Sequence, residues 1–406
     1  MTSNHSIYIH IPFCMHRCAY CDFNTYAGQE AMIPAYVDAL HKEIEFVGSR
    51  FPSPDLGRGA RGEGEIHTIF FGGGTPSLLS PKQFESILKA IRANFSVIQD
   101  AEITMEANPG TVSYENLLEL RKLGINRISF GVQSANTEEL RMLERAHDFF
   151  DVIEAVSSAR KAGFDFLNLD LIYGLPEQTL RTWQTTVKRI LDLHPEHISA
   201  YALTLEHGTP FGRWSAKGLL PFPDPDLAAE MYEWVSETLE AKGYVQYEIS
   251  NWAKPERECK HNLQYWRGLP YLAFGAGAHG YADGYRYSNV LRIKTYIERL
   301  CQPSPFSLHP FPLSPATVNH HKQTLQDDMS EFMMTGLRLT QEGVSTSEFE
   351  KRFGSKLPKV YGKEIEELLR FGLLESKTSK LFENSEVLRL TARGRLLGNQ
   401  VFMRFV

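Results

Sequence analysis

Short runs of β-branched and aromatic residues alternate with amphipathic helical stretches through the first half of the chain. The runs occupy residues 7–13, 67–71, 102–106, 127–131, 166–172 and 197–203, and helical spacing of apolar residues occupies 34–47, 82–95, 114–123, 152–162 and 182–193. Such alternation favours parallel strands, because each helix carries the chain back to the start of the next strand. With right-handed crossovers it predicts an α/β fold, a partial (β/α)6 TIM-like barrel, with an open doubly wound sheet as the alternative.

The ends of several helices are also marked in the sequence. Ser80 before Pro81, and Ser113 before the third helical stretch, are residues typical of helix N-caps. Gly124 and Gly163 follow apolar helical runs, where a glycine often ends a helix in the left-handed conformation.

The sequence changes character after residue 243, and we predict four regions. They are the barrel over 1–243, an aromatic and glycine-rich extension over 244–301, a proline-rich linker over 302–316 and a mostly helical, winged-helix-like domain over 317–406. Five prolines in residues 302–315 argue against a regular helix there. Within the barrel, the segment GRGARGEG at 57–64 predicts a surface insertion.

Composition excludes several classes of protein. The formal net charge is −6 and basic residues form no polybasic run, so we expect no nucleic-acid partner, even for a winged-helix-like domain. We find neither a targeting segment nor an apolar stretch of about 18 residues that could span a membrane. Only five cysteines in 406 residues suit a reducing compartment, and we therefore expect a cytoplasmic protein.

Three of those cysteines are clustered. Cys14, Cys18 and Cys21 form the pattern C-x3-C-x2-C directly after the first predicted strand. Three thiolates on one tight loop are soft metal ligands. A 4Fe-4S cluster normally takes four cysteines, so three would leave one iron open to a small molecule. Zinc would instead need a fourth protein ligand, for which the neighbouring candidates are His10, His16 and Asp22.

The cysteine pattern, followed by Asp22-Phe23, resembles the signature of the radical S-adenosylmethionine (SAM) superfamily. The resemblance implies a 4Fe-4S cluster on Cys14, Cys18 and Cys21, with SAM chelating the fourth iron. It also implies the chemistry of that superfamily, in which the reduced cluster cleaves SAM to a 5'-deoxyadenosyl radical.

Glycine-rich and polar motifs follow the predicted strands, at the edge where barrels of this type carry their function. FFGGGTP at 70–76 lets a backbone approach a ligand closely, but it lacks the lysine of a phosphate-binding Walker loop. The resemblance implies that these motifs bind SAM. The implied SAM-binding residues are Tyr8, Tyr20, Gly72, Gly73, Gly74, Thr75, Glu106, Gln133, Arg145, Asp170 and His279.

The segment GAGAHG at 275–280 matches G-x-G-x-x-G but lacks the context of a dinucleotide-binding turn. The residues after it, Ala282-Asp283-Gly284, favour a turn rather than a helix, and no acidic residue follows at the interval expected for ribose binding. We predict a close-packed turn with His279 facing the cavity.

Longer motifs resemble those of one group within this superfamily. YIHIPFC, FFGGGTPSLL, LDLIYGLP and QYEISNWA are similar to those of the oxygen-independent coproporphyrinogen III oxidase group. The decarboxylating branch of that group has a fourth cysteine where this chain has Phe23. HNLQYW at 261–266 is similar instead to the H-N-x-x-Y-W pattern of the heme chaperone branch.

The resemblance to the chaperone branch implies heme binding by His261, Tyr265 and Trp266. Histidine can ligate heme iron and the two aromatic rings offer flat surfaces, while Cys259 is a second candidate ligand.

The implied function is delivery of heme to acceptor proteins, including respiratory enzymes reached by transient membrane contact, with an electron donor for the cluster. The alternative is oxidative decarboxylation of coproporphyrinogen III, an activity we expect the chain to lack. A zinc-dependent binding module is a third interpretation.

Overall fold

The computed structural model describes residues 4–51, 64–301, 309–382 and 385–406. The predicted insertion lies outside these ranges except for Gly64, as do residues 302–308 of the predicted linker. The strands in chain order are β1 His5–Ile11, β2 Phe13–Cys14, β3 Tyr26–Ala27, β4 Ile66–Gly73, β5 Val97–Ala107, β6 Arg127–Gln133, β7 Leu167–Tyr173, β8 His197–Ala202, β9 Val245–Glu248, β10 Asn251–Ala253, β11 Tyr271–Phe274, β12 His279–Ala282, β13 Tyr285–Asn289, β14 Thr317–Lys322, β15 Val344–Ser345, β16 Leu374–Ser379 and β17 Ser385–Leu390.

The helices alternate with the strands through the first half of the chain. In chain order they are α1 Ile33–Gly48, α2 Pro81–Asn94, α3 Tyr114–Lys122, α4 Thr137–Met142, α5 Phe149–Lys161, α6 Leu180–Leu191, α7 Pro210–Ala216, α8 Pro225–Ala241, α9 Lys260–Trp266, α10 Ile293–Cys301, α11 Leu325–Gly336, α12 Thr346–Phe353, α13 Leu357–Arg370, α14 Ala392–Leu396 and α15 Gly398–Phe402.

The chain forms two compact units. Unit 1 comprises residues 1–235 and 270–321, and unit 2 comprises 236–269 and 322–406. The boundaries of these units differ from the predicted region boundaries at 243, 301 and 316, because residues 270–321 belong to the first unit. The four predicted sequence regions remain a prediction.

Unit 1 contains the predicted parallel strands. Its strands are hydrogen-bonded in the order β14-β13-β12-β11-β1-β4-β5-β6-β7-β8. All neighbouring pairs from β1 to β8 in this order are parallel, so the α/β prediction and its chain of six parallel strands are confirmed. A difference lies beyond β1, where β11 adds a further parallel strand and β12 and β13 continue antiparallel.

Side chains of opposite character alternate along the parallel strands. Strand residues point to opposite faces in turn, so the buried Ile7, Ile9 and Ile11 share one face while Ser6, Tyr8 and His10 share the other. In the neighbouring strands, the register places Thr68 and Glu102 beside Ser6 on that second face. The polar face thus extends over neighbouring strands of the sheet, and its residues form part of the candidate site.

The predicted helix boundaries are present. Ser80 caps α2 in a reciprocal arrangement with Gln83, and the Ser113 side chain accepts a hydrogen bond from a backbone N–H of α3. Gly124 and Gly163 have φ of +104° and +88°, as residues ending helices in the left-handed region.

Unit 2 is built from helices and short antiparallel strands. β9 pairs with β10, and the three-stranded sheet has the order β15-β17-β16. Residues from α11, α12, α13 and these three strands form one apolar core, which includes Met333, Phe349 and Leu388. This combination confirms the mostly helical, winged-helix-like C-terminal part. None of the helices in the described ranges is long and apolar enough to cross a membrane.

Candidate functional site

The cysteine loop begins where β1 ends and is closed by its own short strand pair. β2, which contains Cys14, pairs in parallel with β3, and the Tyr26 N–H donates to the Pro12 carbonyl at 2.7 Å. Inside the loop, the Cys21 N–H donates to the Cys18 carbonyl at 3.1 Å. Cys14 is buried and Cys18 and Cys21 are half-buried, and burial raises the pKa of both Cys14 and Cys21. The three thiols therefore share one partly buried loop.

The geometry of this loop suits a cluster better than a single ion. Within the described part of the chain, no three His, Cys, Asp or Glu side chains converge closely enough to hold one metal ion. A single zinc ion needs every sulfur within about 2.3 Å, whereas a cubane binds each thiolate to a different iron. The two histidine candidates are also engaged, since His10 Nε2 donates to the Asn24 carbonyl at 2.9 Å and His16 Nε2 contacts Glu144 at 3.2 Å.

The glycine motif packs directly against the start of the cysteine loop. The Gly74 N–H donates to the Ile11 carbonyl and the Thr75 N–H donates to the Phe13 carbonyl, both at 2.8 Å. A Cβ atom on Gly74 would lie 2.6 Å from the Phe13 carbonyl oxygen, and one on Gly73, at φ +110°, would lie 2.4 Å from the His10 ring. Glycine is required because only a bare backbone fits between these groups.

Glu106 lies at the end of β5 beside this motif. Its Oε2 accepts a hydrogen bond from the Gly73 N–H at 3.0 Å. Burial, and then the negative charge of Asp170, raise the pKa of Glu106 to about 8. Burial, followed by the charge of Glu106, also raises the pKa of Tyr8, whose hydroxyl donates to His10 Nδ1 at 3.0 Å. This part of the site thus holds a carboxyl group that a positive ligand would ionise.

Asp170 lies on β7, on the same polar face of the sheet. Its oxygens accept from the Ser129 hydroxyl and the Asn168 amide, both at 2.7 Å, and Asn168 also contacts His197 at 2.6 Å. Burial raises the pKa of Asp170 and lowers that of His197 well below its usual value. The carboxyl group of Asp170 is thus bonded to two neutral donors.

Arg145 connects the end of β6 to the cysteine loop. Its Nη2 donates to the Gly131 carbonyl at 2.7 Å and to Asn108 Oδ1, while Nη1 lies 3.5 Å from Cys18 Sγ. Its buried Nε has no hydrogen-bond partner in the described structure. Arg145 also interacts with the Tyr20 hydroxyl, whose pKa is raised mainly by burial. An unpartnered buried guanidinium N–H fits an anionic or polar ligand at this position.

Gln133 and His279 complete the predicted set around the site. Gln133 ends β6 with φ +70°, which is unusual for a residue other than glycine and places strain at this edge. His279 is exposed at the start of β12, and its charge lowers the pKa of His10 after the larger effect of burial.

The turn before His279 is close-packed, as predicted. A Cβ on Gly275 would lie 2.5 Å from the His10 carbonyl oxygen, and one on Gly277 would lie 2.3 Å from Asn24 Nδ2. A strand follows it rather than a helix, so the dinucleotide-binding interpretation is excluded.

The heme-binding candidates lie on α9 in unit 2. His261 is 1% exposed, its Nε2 is 2.8 Å from the Tyr265 hydroxyl, and the two rings meet edge to face at 4.9 Å. Arg338 stacks over the Trp266 ring at 4.4 Å, and its Nη2 lies 3.8 Å from Glu248 Oε2. The helix places His261 and Tyr265 on the same face, four residues apart. Cys259 is buried just before this helix.

The structure adds Asn108 and Ser129, which no sequence motif marked, and gives His10 a different role from the zinc ligation considered for it. Asn108 joins Arg145 to Thr75, His10 links the cysteine loop to Tyr8, and Ser129 supports Asp170. Asn108 lies two residues after Glu106, directly after the end of β5, and this position at a strand end is the signal that could have identified it. The face that His10 shares with Tyr8 in β1 could have indicated this contact.

The described residues fit the groups that the cysteine pattern implies. Three thiols can each bind one iron, and the hydroxyl of Thr75 and the guanidinium of Arg145 point at two of the sulfurs. The glycine motif leaves bare backbone beside Glu106, and the polar face of the sheet carries Tyr8 and Asp170. Such a lining can hold a charged, polar molecule such as SAM next to the cysteine loop.

Comparison with known proteins agrees with this geometry. Residues 8–190 match the Radical SAM superfamily and residues 323–397 match the HemN C-terminal domain. The chain is 39% identical over 402 residues to the heme chaperone HemW of Bacillus subtilis, covering 99% of each chain. It is 42% identical over 276 residues to the heme chaperone HemW of Escherichia coli, covering 68% of this chain and 69% of the relative.

A solved structure shows the same fold. The coproporphyrinogen III oxidase HemN from Escherichia coli, described as a radical SAM enzyme, aligns over 100% of this chain and 90% of its own with a TM-score of 0.81 and 24% sequence identity. The superfamily match implies a 4Fe-4S cluster and SAM as cofactors. The chain belongs to the radical SAM superfamily and, within it, to the family of the heme chaperone HemW.

Proposed function

We propose that this protein is a heme chaperone, which binds heme and transfers it to acceptor proteins while carrying a SAM-associated 4Fe-4S cluster. The observation that carries the proposal is the 39% identity to a named heme chaperone over 99% of both chains, which includes both compact units. As part of this proposal, the protein acts in the cytoplasm and reaches acceptors such as membrane respiratory enzymes by transient contact.

In this proposal Cys14, Cys18 and Cys21 hold the cluster. When bound, the cluster and SAM would supply one-electron chemistry at the open iron. The chain binds and orients SAM with side chains and backbone of the strand ends. The residues proposed to do so are Tyr8, Tyr20, Gly72, Gly73, Gly74, Thr75, Glu106, Gln133, Arg145, Asp170 and His279. An electron donor for the cluster is a further proposed partner.

Heme binding is assigned to α9 in this proposal. His261 Nε2 would ligate the iron, and Tyr265 and Trp266 would contact the porphyrin. Because His261 is 1% exposed and bonded to the Tyr265 hydroxyl, ligation requires Tyr265 to move away from the imidazole. We therefore expect heme loading to be slower than diffusion-limited binding to an open surface.

The alternative is decarboxylation of coproporphyrinogen III. Phe23, 68% exposed on the cysteine loop, occupies the position at which the decarboxylating branch has a fourth cysteine. The similarity to the HemN structure concerns the fold, so an experiment has to distinguish heme transfer from decarboxylation.

The experiment uses the full chain, reconstituted anaerobically, with heme or with coproporphyrinogen III and SAM. We expect a stable heme spectrum and no protoporphyrinogen IX, and at least about tenfold weaker heme binding in His261→Ala, since a metal–ligand bond is lost. His207→Ala, at an exposed position of unit 1, is the matched control and should bind heme normally. Multiple turnovers of coproporphyrinogen III would overturn the proposal in favour of the enzyme.

A further inference from the structure

A single chain of hydrogen bonds joins two of the three cysteines through residues outside their loop. Arg145 Nη1 lies 3.5 Å from Cys18 Sγ and Arg145 Nη2 donates to Asn108 Oδ1. Asn108 Nδ2 donates to Thr75 Oγ1 at 3.0 Å, and the Thr75 hydroxyl lies 3.6 Å from Cys14 Sγ. Asn108 is the central residue of this chain.

The direction of every bond follows from the chemistry of the side chains. Arginine can only donate, so the oxygen of the Asn108 amide must face Arg145. The amide nitrogen must then face Thr75 and donate to its oxygen. A hydroxyl has one hydrogen, and the only acceptor left for the hydrogen of Thr75 along this chain is Cys14 Sγ. Asn108 thus orients the Arg145 guanidinium toward the Cys18 sulfur and the Thr75 hydroxyl toward the Cys14 sulfur.

The surroundings hold this chain of residues in place. The Asn108 backbone carbonyl accepts from the Thr111 N–H at 3.0 Å, which fixes the main chain at this residue, and Thr75 is only 2% exposed. Arg145 is further fixed by the Gly131 carbonyl at 2.7 Å. The chain is therefore part of the folded unit and does not depend on a mobile surface group.

We infer that Asn108 is a positioning residue for the cluster, which acts through Thr75 and Arg145 to raise its reduction potential and to fix Cys14 relative to Cys18. Donors that point at thiolate sulfurs stabilise the extra negative charge of the reduced cluster. A charged arginine at one end also polarises the bonds along the chain. This inference rests on the proposed cluster site.

The test is a redox titration of the anaerobically reconstituted full chain, with dithionite as reductant and the reduced cluster followed by electron paramagnetic resonance. We expect Thr75→Val and Asn108→Leu each to shift the midpoint potential to a more negative value. If Asn108 acts through Thr75, Asn108→Leu should shift the potential less in a Thr75→Val background than in the parent.

Thr111→Val is the matched control. It removes the same hydroxyl as Thr75→Val and also contacts Asn108, but only at the backbone carbonyl, so the potential should not change. The inference would be overturned if Asn108→Leu, with four irons bound per chain, had the same midpoint potential as the parent. It would also be overturned if Asn108→Leu shifted the potential equally in the parent and in the Thr75→Val background.

Two measurements separate this inference from the proposed function. Failure of the parent chain to bind four irons and labile sulfide would refute the cluster site itself. If Asn108→Leu is the one variant that loses the cluster, Asn108→Asp takes its place in the test. Asn108→Asp keeps the acceptor for Arg145 but cannot donate to Thr75. Comparing its effect in the parent and in the Thr75→Val background cancels the effect of its added charge. Equal shifts by Asn108→Asp in both Thr75 backgrounds would then overturn the inference.

Discussion

Glu106 is a carboxyl group that the fold keeps protonated far above its ordinary range. Its pKa of about 8 results from burial and from the charge of Asp170, whereas an unfolded chain would ionise it near pH 4.3. Between these values the folded chain binds the extra proton. The contribution of Glu106 to stability is therefore complete below about pH 4 and is lost as the pH rises through about 8.

Glu106→Gln tests this linkage in the ligand-free chain. We expect the free energy of unfolding of the parent to fall more steeply between pH 5 and 9 than that of the variant. The difference should be on the order of 1 kcal/mol or more, since one pKa unit corresponds to about 1.4 kcal/mol. Urea titrations at both pH values measure it, and parallel pH profiles would show that Glu106 ionises normally.

Gly74 has no room for a side chain. A Cβ would meet the Phe13 carbonyl oxygen at 2.6 Å and the Ile11 carbonyl oxygen at 2.8 Å, and backbone atoms cannot swing away. We expect Gly74→Ala to lower the free energy of unfolding by about 2–3 kcal/mol and to reduce iron retention after reconstitution.

Gly110→Ala is the control for this substitution. A Cβ there comes no closer than 4.0 Å to its nearest neighbour, so stability should change by less than about 0.5 kcal/mol. If both variants retain parent stability and iron content, the close contact between the glycine motif and the cysteine loop does not matter.

Motif residues could be predicted from the sequence, but their bonding partners could not. Cys14, Glu106 and Arg145 were identified because motifs mark them, and the structure brings all three to one edge of the sheet. Asn108 was missed because its role depends on Thr75 and Arg145, 33 and 37 residues away in the chain. Hydrogen bonds between distant residues leave no local pattern.

At the scale of elements, local patterns predicted the first half of the chain well. Strands β4 to β8 and helices α1, α2, α3, α5 and α6 have clear apolar periods, so their positions agree within a few residues. Helices α2, α3, α5 and α6 also begin with a capping side chain. The strands β11, β12 and β13 are short and are separated by turns that contain glycine. Their place beside β1 depends on a pairing across about 260 residues of sequence.

Glu43 on α1 holds this extension of the sheet in place. Its two oxygens accept from the Gly275 N–H at 2.9 Å, Asn289 at 2.8 Å, and the hydroxyls of Tyr296 and Ser314 at 2.6 Å. Four segments of unit 1 are therefore bonded to one buried carboxyl group.

We expect Glu43→Ala to lower the free energy of unfolding by about 3–5 kcal/mol, because each buried donor left unpaired costs about 1–3 kcal/mol and their costs are not fully additive. Glu45→Ala, at an exposed position of the same helix, should change it by less than about 0.5 kcal/mol. Chemical denaturation of both variants gives the comparison, and equal losses in the two would contradict the assigned role.

At the scale of the whole molecule, the division into two units could not be predicted from composition. Residues 270–321 pack with the first unit although they follow 34 residues, 236–269, that belong to the second. A composition change marks where the chain alters its secondary structure but not which core it joins. The function also belongs to this scale, since the proposed cluster residues lie in unit 1 and the proposed heme residues in unit 2.

Transfer of heme to an acceptor decides whether this protein is a heme chaperone. The full chain, loaded with heme and freed of excess heme, is mixed with the apo form of a heme-dependent respiratory protein, and absorption spectra follow both proteins. We expect the acceptor to gain stoichiometric heme faster from this protein than from heme-loaded serum albumin, and we expect no such gain from the His261→Ala variant. Equal rates from both heme sources, or full transfer by the variant, would contradict it.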